Sequence, residues 1–228
     1  MLILLPNLLG GSSFDQRYFP EELAREVALL DGLIAESVPA GRAFLKAFKT
    51  KKAAHLIPIA HLHKDIKRDE IDFFLEPLLK GEHFGLISDA GLPCLADPGY
   101  QVVQRANERG IEVRMVMGPS SLLMGLMLSG LPGQAFTFHG YLPKKPEELI
   151  AALRAMPKNY THLFIEAPFR NNKLMRILLS SLPPDSKLCL AADLTLPTQQ
   201  VITKTVAAWQ KVPLGDLDGR YCLFLLAP

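Results

Sequence analysis

The sequence predicts two small α/β domains, and three observations carry that prediction. Strand, loop and helix alternate twice between Phe84 and Gly130, the alternation breaks at Leu131-Pro132-Gly133, and it resumes from about Pro146. Strands joined through helices have to be parallel, with right-handed crossovers, and ligands of such sheets bind outside the carboxyl ends of the strands. A chain of 228 residues is long enough to give each domain a core of its own.

Taken in order, Met1–Leu5 is an apolar run that stops at Pro6 and carries no basic residue, which predicts a buried first strand rather than a secretory leader. Residues 21–35 alternate acidic and apolar side chains at helical spacing, and a shorter helix is expected over 43–48. Phe84–Ser88 is a short apolar strand opening into the turn-forming loop Asp89-Ala90-Gly91-Leu92-Pro93. Asp97 can cap the next helix, Pro98 suits its first turn and Gly110 suits the left-handed position after its end, so a helix is expected over 99–109. Residues 111–117 form the following strand, which ends at Gly118-Pro119-Ser120-Ser121, where a serine can cap a helix closed by Gly130. That helix contains the apolar run Leu122–Leu131, well short of the ~20 residues that a membrane span needs, and is expected in the core. The domain boundary is placed at 132/133, giving domains 1–132 and 133–228, with Gly140–Pro146 as a polar connector. Beyond it, a helix from about Pro146, a strand over 161–165, a helix over 172–182 and strands near 188–192 and 221–226 complete the second domain.

Composition narrows the function classes. Hydrophobic residues make up 49% of the chain and charged residues 21%, which is ordinary for a globular protein and argues against disorder. A net charge of +2 permits an anionic partner without pointing to one. Cys94, Cys189 and Cys222 are odd in number and widely spaced, as expected in the reducing cytoplasm. Gly118-Pro119-Ser120-Ser121-Leu122 lacks the second glycine of a nucleophile elbow, and neither a phosphate-cradling Gly-Lys-Ser/Thr loop nor a dinucleotide fingerprint is present. His61 and His63 share one side of an extended segment near Asp65, but no fourth ligand is evident, so no metal is expected.

The loop Ser88–Tyr100 carries the most information. It resembles the signature S-D-A-G-x-P-x-x-x-D-P-G-Y of a ribosomal-RNA small-subunit ribose 2′-O-methyltransferase family, a branch of the tetrapyrrole (corrin/porphyrin) methylase superfamily. Further segments are similar to that family in the same order: Gly118-Pro119-Ser120-Ser121, Ser129-Gly130-Leu131-Pro132, Phe138–Pro143, Phe164–Arg170 and Leu190–Thr195. Several independent matches in one order weigh far more than one motif. The departures are concentrated. The opening loop is shortened to Leu5–Gly11, the family's E-D-T-R survives only as Glu36, and its lysine after Asp193-Leu194-Thr195 is Leu196.

The resemblance implies a tetrapyrrole-methylase-like fold in which each domain is a largely parallel or mixed sheet flanked by helices. It also implies S-adenosyl-L-methionine as cofactor, in the cleft between the domains. Asp89, Ala90, Gly91, Leu92, Pro119, Ser120, Ser121 and Ala167 are the cofactor contacts it implies. A ribose hydroxyl is a poor nucleophile at neutral pH, so a nearby carboxylate would help remove its proton; Glu36 is the first candidate base and Glu166 the second. Lys144, Lys145 and Arg170 are candidate substrate contacts on a basic rim, with Lys46, Lys49, Lys51 and Lys52 as a second basic cluster. Small-subunit ribosomal RNA, in the ribosomal subunit, is the expected partner, and a homodimer is expected from the family and from a mean hydropathy of +0.16. Two alternatives remain at this point: a tetrapyrrole precursor as methyl acceptor, or a cofactor-binding homologue that has lost catalysis.

Overall fold

The structure, a computed structural model, describes residues 1–11 and 13–228. It divides into two compact units, Met1–Ser120 and Ser121–Pro228.

The first unit is built on a five-stranded parallel sheet. Its strands are β1 (Leu2–Leu4), β2 (Gly32–Ala35), β3 (Ile59–His61), β4 (Phe84–Ile87) and β5 (Val113–Met115), in the order β3-β2-β4-β1-β5. Side chains alternate across a strand, and here both faces are covered. Ile3, Leu33, Ala35 and Ile87 pack on one face with Leu23 and Val27 of α1 (Glu21–Leu29) and Phe44 and Leu45 of α2 (Val38–Lys46). Leu2, Ile34 and Leu86 pack on the other with Ile71, Leu75 and Leu78 of α3 (Arg68–Leu79) and Val102 and Ala106 of α4 (Gly99–Glu108). The helix expected over 21–35 therefore ends at Leu29, because Gly-Leu-Ile-Ala carries no charge and is buried on both faces as a central strand. The next helix starts earlier than the expected residue 43: Ser37 caps it by accepting the Ala40 N–H at 3.3 Å. The charged start of α3, Arg68-Asp69-Glu70, obscured a helix that the sequence reading did not predict. Gly110 follows α4 in the expected left-handed conformation (φ 66°).

The second unit holds α5 (Ser121–Ser129), β6 (Phe136–Tyr141), α6 (Pro146–Arg154), β7 (Thr161–Ile165), α7 (Asn171–Ser181), β8 (Lys187–Ala192), β9 (Gln200–Thr205), α8 (Val206–Trp209) and β10 (Cys222–Ala227). Its sheet has the order β6-β7-β10-β8-β9; β6 and β7 are parallel and every other pairing is antiparallel. Phe164 and Phe224 stack in its core with centroids 6.0 Å apart, an arrangement worth about 1 kcal/mol beyond area burial. The indole of Trp209, buried beside them, donates to the Leu188 carbonyl at 2.8 Å.

The division between units falls at 120/121 rather than at the expected 132/133, because α5 packs on the second sheet. It buries Gly125 and Leu126 there, and its terminal carbonyl at Ser129 accepts the Thr203 hydroxyl at 2.7 Å. Part of the expected connector also proves structured: Gly140 and Tyr141 close the edge strand β6.

Candidate cofactor and catalytic site

In the first unit, the loops following β1, β2, β4 and β5 leave the sheet at its carboxyl edge, where a ligand of a parallel sheet binds. They are laced together. The Asn7 side chain donates to the carbonyls of Ser88 (2.9 Å) and Asp89 (3.2 Å), and its backbone N–H donates to Gly91 O at 2.8 Å. Gly91 N–H returns a bond to Leu8 O at 3.1 Å. Gly118 belongs to the same cluster: a Cβ there would lie 2.1 Å from the Pro6 ring. Gly91 sits at φ 70°, and a Cβ on it would come within 2.9 Å of the Leu9 side chain. The left-handed backbone therefore calls for glycine at 91, and the rigid Pro6 ring calls for it at 118.

The loop beyond Gly91 is strained. Cys94 and Ala96 both adopt φ 69°, a conformation that non-glycine residues hold only when their surroundings enforce it. Asp97 supplies the restraint, its Oδ1 accepting the Gly99 N–H at 2.6 Å. The other carboxylate oxygen, Oδ2, is buried with no hydrogen-bond partner among the described residues. Burial pushes the Asp97 carboxyl above its ordinary range, opposed by the backbone N–H groups of Gly99, Cys94 and Leu95. Burial, reinforced by the Asp97 charge, pushes the Cys94 thiol up to about 12, which leaves it inert as a nucleophile.

Glu36 stands directly beside this loop. Its Oε2 accepts the Asp89 N–H at 3.0 Å, tying the end of β2 to the loop after β4. Burial raises its carboxyl above the usual range, the Asp89 N–H pulls it back, and the charges of Asp89 and Asp97 raise it further. Among the described residues none of these three carboxylates makes an ion pair. Of the other expected cofactor contacts, Asp89 and Ala90 are exposed at the loop tip, Leu92 is half-buried, Pro119 and Ser120 are buried, and Ser121 opens α5.

In the second unit Glu166 is already engaged. It pairs with Arg170 at 3.0 Å and accepts its neighbour Ala167's N–H at 2.8 Å, with only 6% of its side chain exposed. Glu166 and Arg170 thus neutralise each other, so as a base Glu166 is the weaker candidate and Arg170 is not an unpaired cation. Lys144 and Lys145 are exposed, and Lys145 pairs with Glu148 of α6 at 2.9 Å. Lys51, in the second basic cluster, pairs with Asp31 at 2.6 Å. The rings of His61 and His63 lie 5.7 Å apart, His63 reaches Glu70 at 3.3 Å, and no metal-binding group of three or more such side chains occurs among the described residues. Sequence reasoning missed Asn7, whose signal is an amide placed immediately after a buried strand at the ligand edge.

A parallel-sheet unit with a strained, carboxylate-rich ligand edge is followed in the chain by a mixed-sheet unit, which defines a two-unit α/β class. Residues 22–209 match the model of the tetrapyrrole (corrin/porphyrin) methylases, and the chain belongs to that family. Relatives include the protein named ribosomal RNA small subunit methyltransferase I of Thermotoga maritima, 29% identical over 195 residues that cover 82% of this chain and 84% of that protein. The protein of the same name from Xylella fastidiosa is 33% identical over 172 residues, covering 74% of this chain; the chain spans only 62% of that relative's length. Two solved structures share the fold: the methyltransferase CobJ (TM-score 0.63, 15% identity, 99% of this chain and 92% of that one) and the uroporphyrin-III C-methyltransferase of Thermus thermophilus complexed with S-adenosylhomocysteine (TM-score 0.53, 14% identity, 99% and 95%).

Proposed function

We propose that the protein is an S-adenosylmethionine-dependent methyltransferase whose acceptor is a ribose hydroxyl of small-subunit ribosomal RNA. One observation carries the proposal: Glu36, Asp89 and Asp97 gather at the carboxyl edge of the first sheet with no ion-pair partner among the described residues, Glu36 bonded to the Asp89 N–H at 3.0 Å. Such a set suits a cationic sulfonium ligand, since the carboxylates gain a positive neighbour when it binds. Bound there, S-adenosylmethionine supplies an activated methyl group, and the protein's share is to orient the acceptor and exclude water. Asp89, Ala90, Gly91 and Leu92, with Pro119, Ser120 and Ser121, are the residues assigned to hold it; the assignment of Ala167 rests on the family resemblance alone. Glu36 is assigned as the group that takes the ribose proton, because it stands at the ligand edge bonded to the Asp89 N–H and burial makes its carboxylate a stronger base than an ordinary glutamate.

The names of the relatives in Thermotoga and Xylella support ribosomal RNA as the acceptor. The three cysteines are unpaired and no helix among the described residues is long and apolar enough to cross a membrane, which suits the cytoplasm where ribosomes assemble. A homodimer is part of the reading: α5 is apolar on nearly every side, and its Leu123, Met127 (81% exposed) and Leu128 project outward, as a two-fold interface would require.

Incubation with methyl-labelled cofactor and small ribosomal subunits from a strain lacking the protein tests the proposal. Label should appear in alkali-resistant dinucleotides, because a methylated 2′-oxygen cannot take part in strand cleavage. Label in a precorrin with none in RNA would overturn the acceptor, and cofactor binding without turnover would overturn the enzyme.

A further inference from the structure

The second unit contains another built pocket, where the loop after β8 meets the start of β9. It is open to solvent, has a volume of about 610 Å³ and is lined by Asp193, Pro197, Thr198, Gln199, Gln200 and Arg220. Its loop is strained in the same manner as the cofactor loop, with Asp193 at φ 52° and Thr195 at φ 74°.

The hydrogen bonds leave this pocket rich in donors. The Arg220 guanidinium has five N–H groups. Three are spent, on Asp193 Oδ2 (2.8 Å), Gln200 Oε1 (3.1 Å) and the Thr198 carbonyl (2.9 Å), leaving two. Asp193 is itself fully engaged: Oδ2 also takes the Thr198 hydroxyl at 3.0 Å, and Oδ1 takes the Tyr221 N–H at 3.2 Å. Both glutamines have their oxygens committed, Gln199 to the Thr195 N–H at 2.9 Å and Gln200 to Arg220. Their amide NH2 groups have no partner among the described residues. The lining carboxylate and amide side-chain oxygens are thus engaged while several side-chain donors remain, and the Asp193 and Arg220 charges cancel.

We propose that this pocket holds a backbone phosphodiester of the acceptor RNA strand, an inference that rests on the RNA reading above. Unspent donors around a paired arginine match the two non-bridging oxygens of a diester, and the near-neutral charge suits one negative charge better than the two of a terminal phosphate. The openness of the pocket lets a strand run through it.

The test follows the side-chain amide resonances of Gln199 and Gln200 by 15N NMR of the full chain during titration with dimethyl phosphate, inorganic phosphate or uridine. Dimethyl phosphate should move both amides. Gln200→Glu, which keeps a partner for Arg220 but removes the donors and adds a charge, should abolish the remaining Gln199 shift and weaken binding of small-subunit ribosomal RNA about tenfold or more. Calorimetric affinity for S-adenosylhomocysteine, which reads the Asp89–Leu92 loop and its neighbours rather than this pocket, should stay within twofold. Shifts with uridine alone would assign the pocket to a base edge, shifts with inorganic phosphate alone would mark an adventitious ion only, and no shifts at all would leave no ligand; each overturns the proposal. Wild-type protein that takes dimethyl phosphate but neither binds nor methylates ribosomal RNA would instead sink the RNA reading, and with it the source proposed for the diester.

Discussion

Two strained loops, one in each unit, are held by an aspartate, and the difference between them separates chemistry from binding. In the first unit Asp97 restrains Cys94 and Ala96 with no cation and with one buried oxygen unbonded among the described residues, and has its carboxyl raised by burial. In the second, Asp193 restrains its own loop while paired with Arg220 and bonded to Thr198 and Tyr221. The first loop holds carboxylates without an ion-pair partner among the described residues, which a cationic ligand would relieve, and it stands beside Glu36, whose carboxyl is raised by burial. The second has spent its charge, and the side-chain groups it leaves unspent are donors. Where a carboxylate's compensation is left open the site can bind and react, and where it is complete the loop can position a ligand but do little else.

The largest effect should come from breaking the first loop's backbone. Gly91→Val places a branched side chain at φ 70° and against Leu9, and calorimetry should show cofactor affinity falling more than about 100-fold. Affinity within a few-fold of wild type would put the cofactor elsewhere. A smaller effect, of opposite character in the two loops, should appear in thermal unfolding across pH. Arg220→Ala removes the partner of a largely buried carboxylate and should destabilise the protein by about 2 kcal/mol at neutral pH. For Asp97 the sign runs the other way: its folded carboxyl holds a proton more tightly than the ordinary value of 3.8, so wild-type stability declines as pH rises from 3.8 through the raised value. Asp97→Asn removes that decline, so the difference between wild type and variant should move in the variant's favour over that window and then level off. A pH-independent difference would show that Asp97 is compensated after all.

Much of this was legible in the sequence, and what was not has physical reasons. The strand–loop–helix grammar of residues 84–130 stands out because glycine, proline and serine punctuate it at the required positions, and β7 was placed to the residue. Gly32–Ala35 was merged into a helix because four apolar residues after an amphipathic run do not show their period. The half-exposed edge strand β6 and the polar β9 lack the buried apolar run that marks β8 and β10. The unit boundary was misplaced because an apolar helix shows that it is buried but not which sheet buries it, as α5 illustrates. Motif positions pointed to the loop residues and Glu36, which the fold brings side by side, but the clamp made by Asn7 and the pairing of Glu166 with Arg170 are long-range or geometric facts. In the sequence the first shows only as an amide after a buried strand and the second as an acid–base pair four residues apart, and neither names its partner.

The division of labour is tested most directly by single-turnover methyl transfer to small-subunit ribosomal RNA, measured across pH for wild type, Glu36→Gln and Glu166→Gln. The wild-type rate should rise with pH through a carboxyl titrating above the ordinary range of glutamate, since the base must be ionised to accept the proton. Glu36→Gln should lower the rate by about 10²- to 10⁴-fold and abolish that rise while leaving RNA affinity within a few-fold. Glu166→Gln, which releases Arg170 rather than removing a base, should keep the pH-dependent limb. A Glu36→Gln enzyme that retains both rate and pH profile, with the limb lost in Glu166→Gln, would contradict the assignment of chemistry to the first unit.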